Sequence, residues 1–278
     1  MTSTETPREN QEKAYRALAG WWAEMGIEAD PLPRSRDLTP AQKAGREAPK
    51  PQKRAVPQAT GAAAKAAGFG DAGGSEADAR KAAGAAKTLD ELKAAIEAFD
   101  GCPLKRTARN TVFARGNPEC GLMIVGEAPG RDEDEQGQPF VGRAGQFLDT
   151  MFAAIGRNRE TDVYITNVVN WRPPGNRNPT QDEIALCLPF VERHIALVKP
   201  KILVLAGGVS AQALLRASTG IMRLRGRWAE YRLKDDNFEP GDHVDAMPIF
   251  HPAFLLRRPQ EKKNAWKDLL EIQAKIES

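Results

Sequence analysis

Cysteine and histidine are both scarce in this sequence, with three of each among its 278 residues. Three thiols, an odd number without a paired spacing, exclude a disulfide framework and suit a reducing compartment, so a cytoplasmic location is expected. Long apolar runs are missing too. Nothing approaches the roughly 20 residues that span a bilayer, so no membrane partner is expected. The first residues, Met1 to Lys13, are polar and charged and do not read as a secretory leader. Charge of one sign is also lacking: 40 basic and 37 acidic residues leave a formal net charge of +3. That balance permits a nucleic-acid partner without arguing for one. The length suits one substantial domain with appended segments.

Composition divides the chain into three. Tyr15, Leu18, Trp21, Trp22 and Met25 fall at helical spacing, which predicts an N-terminal helix within residues 1–29. Residues 30–87 are rich in Pro, Ala, Gly and basic side chains and have few large apolar ones. Such a stretch buries too little surface to offset its ordering entropy and reads as a basic linker, with only transient helix at its Ala-rich end. From residue 88 to 278 short apolar runs alternate with longer amphipathic ones. Strands are predicted at 122–125, 163–168, 202–205 and 247–250. Helices are predicted from Thr88 to Phe99 and at 145–155, 180–198, 210–217 and 262–276. Thr88 with Glu91 and Thr180 with Glu183 have capping-box spacing. This alternation predicts an α/β fold, a parallel sheet covered by helices on both faces. A small β excursion is expected at 223–233 and a polar loop at 234–245.

Three predicted strands end on a residue with chemistry. The run Val125-Gly126-Glu127-Ala128-Pro129-Gly130 places a carboxylate on a tight turn. Ile165-Thr166-Asn167 ends on an amide, and Phe250-His251-Pro252 on an imidazole. Open α/β sheets bind ligands at the C-terminal ends of parallel strands, so Glu127, Asn167 and His251 are expected to share one site. An isolated Glu on such a turn is more often a cap, and a lone His more often structural. Their placement at three strand ends suggests a single site. His194 and His243 read as structural.

The motifs GEAPGRDED, GQPFVGRAGQFLD, YITNVVNWRPPGNRNPT, ILVLAGGVSA and FHPAFLLR follow one another over about two-thirds of the chain. In that order they resemble the family 4 uracil-DNA glycosylases, bacterial and archaeal enzymes that usually carry an iron–sulfur cluster. The resemblance implies a three-layer α/β/α sandwich around a central four-stranded parallel sheet. It implies hydrolysis of the N-glycosidic bond of deoxyuridine in DNA, with base flipping, by a monofunctional and monomeric enzyme. Glu127 would orient water and stabilise the sugar cation, and His251 would stabilise the uracil anion at O2. Asn167 would read the base edge, Phe140 would stack on the ring, and Glu133 would exclude thymine's methyl. Gly126 and Ala128, with backbone amides as far as Arg131, would line the pocket. In the best-known branch of the superfamily the acid stands where this chain has Ala128. Leu255 and Leu256 would form the wedge that replaces the flipped base. Arg257, Arg258 and Arg172, with Asn176 and Arg177, would meet phosphates. No Lys is placed for a lyase step. The alternative on the same fold is a catalytically weak DNA-binding or damage-sensing protein, which would not need Glu127, Asn167 and His251 together.

One part of the pattern is broken. The family's cluster is held by four cysteine thiolates. Cys102 and Cys187 match two of them, while Phe99 and Trp171 stand at the other two. The departure predicts that no iron–sulfur cluster is present and that the two aromatic side chains fill its volume. Burying two such rings contributes on the order of a few kcal/mol.

Overall fold

The computed structural model describes residues 74–232 and 243–278. The helix expected within residues 1–29, the linker as far as residue 73 and most of the loop at 234–245 lie outside the described residues. In chain order the elements are α1 (Glu76–Ala85), α2 (Leu89–Ala98), β1 (Arg115–Gly116), β2 (Leu122–Gly126), α3 (Arg131–Gln136), α4 (Arg143–Ala153), β3 (Tyr164–Asn167), α5 (Gln181–Val198), β4 (Ile202–Ala206), α6 (Gly208–Leu215), α7 (Ile221–Leu224), β5 (Ala229–Arg232), β6 (His243–Ile249), α8 (Pro252–Arg257) and α9 (Lys262–Glu277).

The strands form one sheet in the order β1-β3-β2-β4-β6-β5. Its inner four, β3, β2, β4 and β6, are parallel, as expected. Two short antiparallel strands, β1 and β5, extend it at the edges. Alternation along each strand separates two apolar layers. Met123, Val125, Leu203 and Leu205 face the side covered by α1, α2, α5 and α6. Leu122, Ile124, Ile202 and Val204 face the side covered by α4, α8 and α9. With both faces covered, the strands are apolar at consecutive positions, and all five residues of β2 and of β4 are buried. The result is the expected three-layer sandwich.

Helix ends follow local chemistry. The Thr180 hydroxyl accepts from the Glu183 N–H while the Glu183 carboxylate accepts from the Thr180 N–H at 2.7 Å, a complete capping box. At Thr88 only half of the box forms. Its hydroxyl accepts from the Glu91 N–H, but the Glu91 carboxylate takes the Lys87 N–H instead.

The segment at 76–85, assigned by composition to the linker, is a corrected boundary. It forms α1, which packs on α5 with Ala79 and Ala83 buried. Small side chains let the helices approach closely. Arg80 pairs with Glu192 at 3.2 Å, and the Arg193 side chain donates to the Ala86 carbonyl at 2.8 Å. Alanine-rich sequence has little apolar area of its own, so its order comes from docking. The Ala79→Glu variant should therefore destabilise the chain by roughly 2–4 kcal/mol in urea unfolding, through an unpaired buried carboxylate. An unchanged midpoint would show that α1 carries no packing role.

Candidate active site

Strand β2 lies at the centre of the parallel set, and the chain leaves it toward β3 on one side and later β4 on the other. That switch opens a crevice beyond the strands' C-terminal ends. A cavity of about 570 Å³ occupies it, lined by Glu127, Asn167, Phe140, His251 and the turns beside them. The four side chains expected to share a site do share one.

Gly126 does not itself line the cavity but stands behind it, paired in register with Asn167. A Cβ on Gly126 would lie 2.4 Å from the Asn167 Oδ1 and 2.6 Å from the Phe140 ring, so only glycine leaves the amide and the ring in place. The Asn167 Oδ1 is buried and has no hydrogen-bond partner. Buried polar atoms are nearly always paired, so an unpaired acceptor lining a cavity marks the position of a ligand donor. Phe140 holds φ +54°, and its ring stacks against His251 at 5.6 Å between centroids.

Glu127 immediately follows β2, and its carbonyl accepts from the Val169 N–H at 3.1 Å. Burial pushes its carboxyl pKa above the ordinary range. His251 caps α8, and its Nδ1 accepts from the Ala253 N–H at 3.1 Å. A neutral ring with Nδ1 as acceptor carries its proton on Nε2, where it is a donor. Burial, with Arg257 adding to it, lowers the imidazole pKa to about 4, so the ring is neutral at physiological pH. Gly207 (φ +108°) lets the turn after β4 approach this ring, with its Cβ position 3.1 Å from that of His251.

The rim departs from expectation at several residues. Leu255, expected at the rim, is instead fully buried in the α4–α9 layer. Helical phase is the reason: from Pro252 onward the turn points Leu255 inward and brings Phe254 and Arg257 to the cavity. Leu256 is partly buried and does not line it. Arg172 also lies outside the lining, with its Nε donating to Asn176 Oδ1 at 2.6 Å. Arg177 lines the cavity but is held by both oxygens of Glu183. Both oxygens of Glu133 accept backbone N–H groups, from Gly130 at 3.1 Å and Gly142 at 2.9 Å. Its carboxylate thus ties together the two turns that form one wall. Ala128 lines the cavity beside Glu127. Sequence reading missed Phe254, Arg143 and Gly207. Only Gly207 carried a local signal, as half of a glycine pair after a strand.

The four positions that the resemblance matches to cluster ligands, Phe99, Cys102, Trp171 and Cys187, belong to one buried apolar cluster. The Cys102 and Cys187 sulfurs lie 4.0 Å apart, both fully buried. Trp171 is buried beside them, its indole N–H donating to Thr111 Oγ1 at 3.0 Å. Phe99 packs edge-on against Phe190 at 5.2 Å, and a Cβ at Gly101 would come within 2.4 Å of its ring. Burial and the neighbouring thiol keep Cys187 protonated. Two thiols in one apolar cluster with Phe99 and Trp171 do not offer the four thiolates that an iron–sulfur cluster needs. Cys120 is elsewhere, its thiol against the Leu122 carbonyl.

The sequence model of the Uracil DNA glycosylase superfamily matches residues 113–270. A type-4 uracil-DNA glycosylase of Pyrobaculum aerophilum is 41% identical over 187 residues, covering 65% of this chain and 91% of that protein. One from Archaeoglobus fulgidus is 38% identical over 190 residues, covering 67% and 92%. One from Thermotoga maritima is 38% identical over 163 residues, covering 58% and 80%.

Two predictions follow from the geometry. Gly126→Ala should lower kcat/KM by at least about 100-fold, since its methyl takes the space between amide and ring. An active variant would place the ligand elsewhere. The second concerns acid stability. The folded imidazoles of His251 and His194 have pKa values of about 4 and about 3, below the unfolded value of 6.5. The unfolded chain therefore binds more protons as pH falls below 6.5, and stability should decline from there toward 4. Urea midpoints should show a shallower decline for His251→Asn.

Proposed function

Because this chain belongs to the uracil-DNA glycosylase superfamily, we propose that it hydrolyses the N-glycosidic bond of deoxyuridine in DNA, releasing uracil and leaving an abasic site. The unpaired Asn167 amide oxygen above Gly126 is the observation that carries this reading. Uracil's N3–H supplies the donor that this acceptor lacks, and the amide N–H₂ then meets O4. Cytosine offers an acceptor at N3 and a donor at C4, which leaves both pairings mismatched.

In this reading the deoxyuridine is turned out of the duplex into the cavity and stacks on Phe140. As the bond from C1′ to N1 lengthens, positive charge grows on the sugar and negative charge on uracil O2. The neutral His251 donates its Nε2 proton in a hydrogen bond to O2 without giving it up, a fixed dipole aimed at the developing anion. Glu127, as carboxylate, stabilises the sugar cation and orients the water that attacks C1′. The water's proton leaves through that carboxylate or to solvent. Among the described residues no Lys lines the cavity, which supports hydrolysis without a lyase step. Glu133 holds the wall on which methyl exclusion would depend. Arg257 and Arg143, both exposed at the rim, would meet phosphates, with Phe254 replacing Leu255 at the mouth.

The enzyme would act as a monomer in the cytoplasm. Among the described residues no helix is long and apolar enough to cross a membrane. The packed rings of Phe99 and Trp171 support activity without an iron–sulfur cluster.

Uracil release from single- and double-stranded oligonucleotides tests the reading. Glu127→Gln and His251→Ala should each lower the rate about 100-fold or more. The wild-type rate should rise with pH through the elevated Glu127 pKa, and Glu127→Gln should lose that limb. DNA binding without release would favour a damage sensor. Stoichiometric iron in anaerobically purified protein would overturn the cluster-free proposal.

A further inference from the structure

We infer that Arg159 is a positioning residue for the base-stacking ring of Phe140, acting through the Phe140 backbone; this rests on the reading above. Phe140 lies in a conformation with φ +54°, which bulky L side chains rarely adopt. Something must hold it there, and two features meet at its carbonyl. The Arg159 guanidinium, 19 residues along the chain, donates through Nη2 to that oxygen. Arg159 is itself ion-paired with Asp149 at 2.6 Å, and its side chain is only 11% exposed. On the other side, a Cβ at Gly145 would lie 1.7 Å from the Phe140 oxygen, so the carbonyl enters the first turn of α4 only because residue 145 is glycine.

The ring is thereby turned inward over Gly126 and against His251, while Arg159 touches none of the cavity. A charged donor to a carbonyl is about twice as strong as a neutral one, and Asp149 stands beside the guanidinium as its counter-charge, close to Nε but not hydrogen-bonded to it. Burial lowers the Arg159 pKa and raises that of Asp149, so both groups give up hydration to stand there. Surface ion pairs do not carry that cost. Without the guanidinium the Phe140 backbone is free to relax toward negative φ, and the ring moves off the position where uracil stacks.

A double-mutant cycle separates positioning from general support of the fold. In the full chain, Arg159→Ala should lower kcat/KM for uracil release about tenfold, a coupling of ordinary size. Inhibition by free uracil should weaken by a similar factor. Arg159→Lys should recover part of both, because an ammonium can donate but lacks the planar fork. In a Phe140→Ala background the same Arg159→Ala change should cost less than about twofold. Equal losses in the two backgrounds, or unaltered uracil inhibition, overturn the inference. Should Arg159→Ala fail to fold, Arg159→Lys and Asp149→Asn taken through the same cycle decide it by the same criterion. A wild type that releases no uracil sinks this inference together with the proposed function. An active wild type with additive losses sinks this inference alone.

Discussion

A Cβ on Gly126 would stand 2.4 Å from the Asn167 amide oxygen and 2.6 Å from the Phe140 ring, and the site depends on that space staying open. The space exists because β2 ends on glycine in register with Asn167 on β3, while the chain after α3 folds Phe140 back over the pair. Sheet pairing fixes two of the walls, and a strained backbone fixes the third. Phe140 keeps its left-handed conformation among neighbours that leave little alternative: glycine at 145, a guanidinium at 159, and two amides joined through Glu133. Strain of this kind persists only where the surroundings over-determine it.

Removal from water acts on the two titrating side chains in opposite senses of charge. It disfavours the charged form of each, raising the pKa of Glu127 and lowering that of His251. For His251 the consequence is useful, because a neutral ring whose Nδ1 is already occupied presents a defined Nε2 donor. For Glu127 it would be a cost in the proposed hydrolysis, where the carboxylate form is the one required. One environment therefore makes the imidazole permanently ready and the acid the pH-sensitive partner.

Two thiols 4.0 Å apart share a continuous apolar cluster with Trp171 and Phe99. Trp171 follows Asn167 by four residues, and its indole N–H anchors the intervening turn to Thr111. The Asn170 side chain donates to the Val112 carbonyl at 3.1 Å in the same turn. Packing and a few buried hydrogen bonds hold the loop behind the amide.

The strand and helix alternation, the capping box at Thr180 and the strand-end positions of Glu127, Asn167 and His251 were all legible in the sequence. They follow from period, local hydrogen bonding and the rule that parallel sheets bind at their C-terminal ends. What tertiary structure decided is a matter of partners distant in the chain. An alanine-rich segment becomes α1 only when α5 offers it a surface. Leu255 and Phe254 are neighbours of similar hydrophobicity, and only the phase of α8 against α4 buries one and turns the other to the cavity. Arg172 finds Asn176 rather than a phosphate position. Arg159 finds the Phe140 carbonyl, a contact that no periodicity encodes, since its direction depends on a backbone conformation imposed from several sides at once. The sequence by itself determined which residue types stand at the strand ends, and the packed structure decided which side chains around them are free to act.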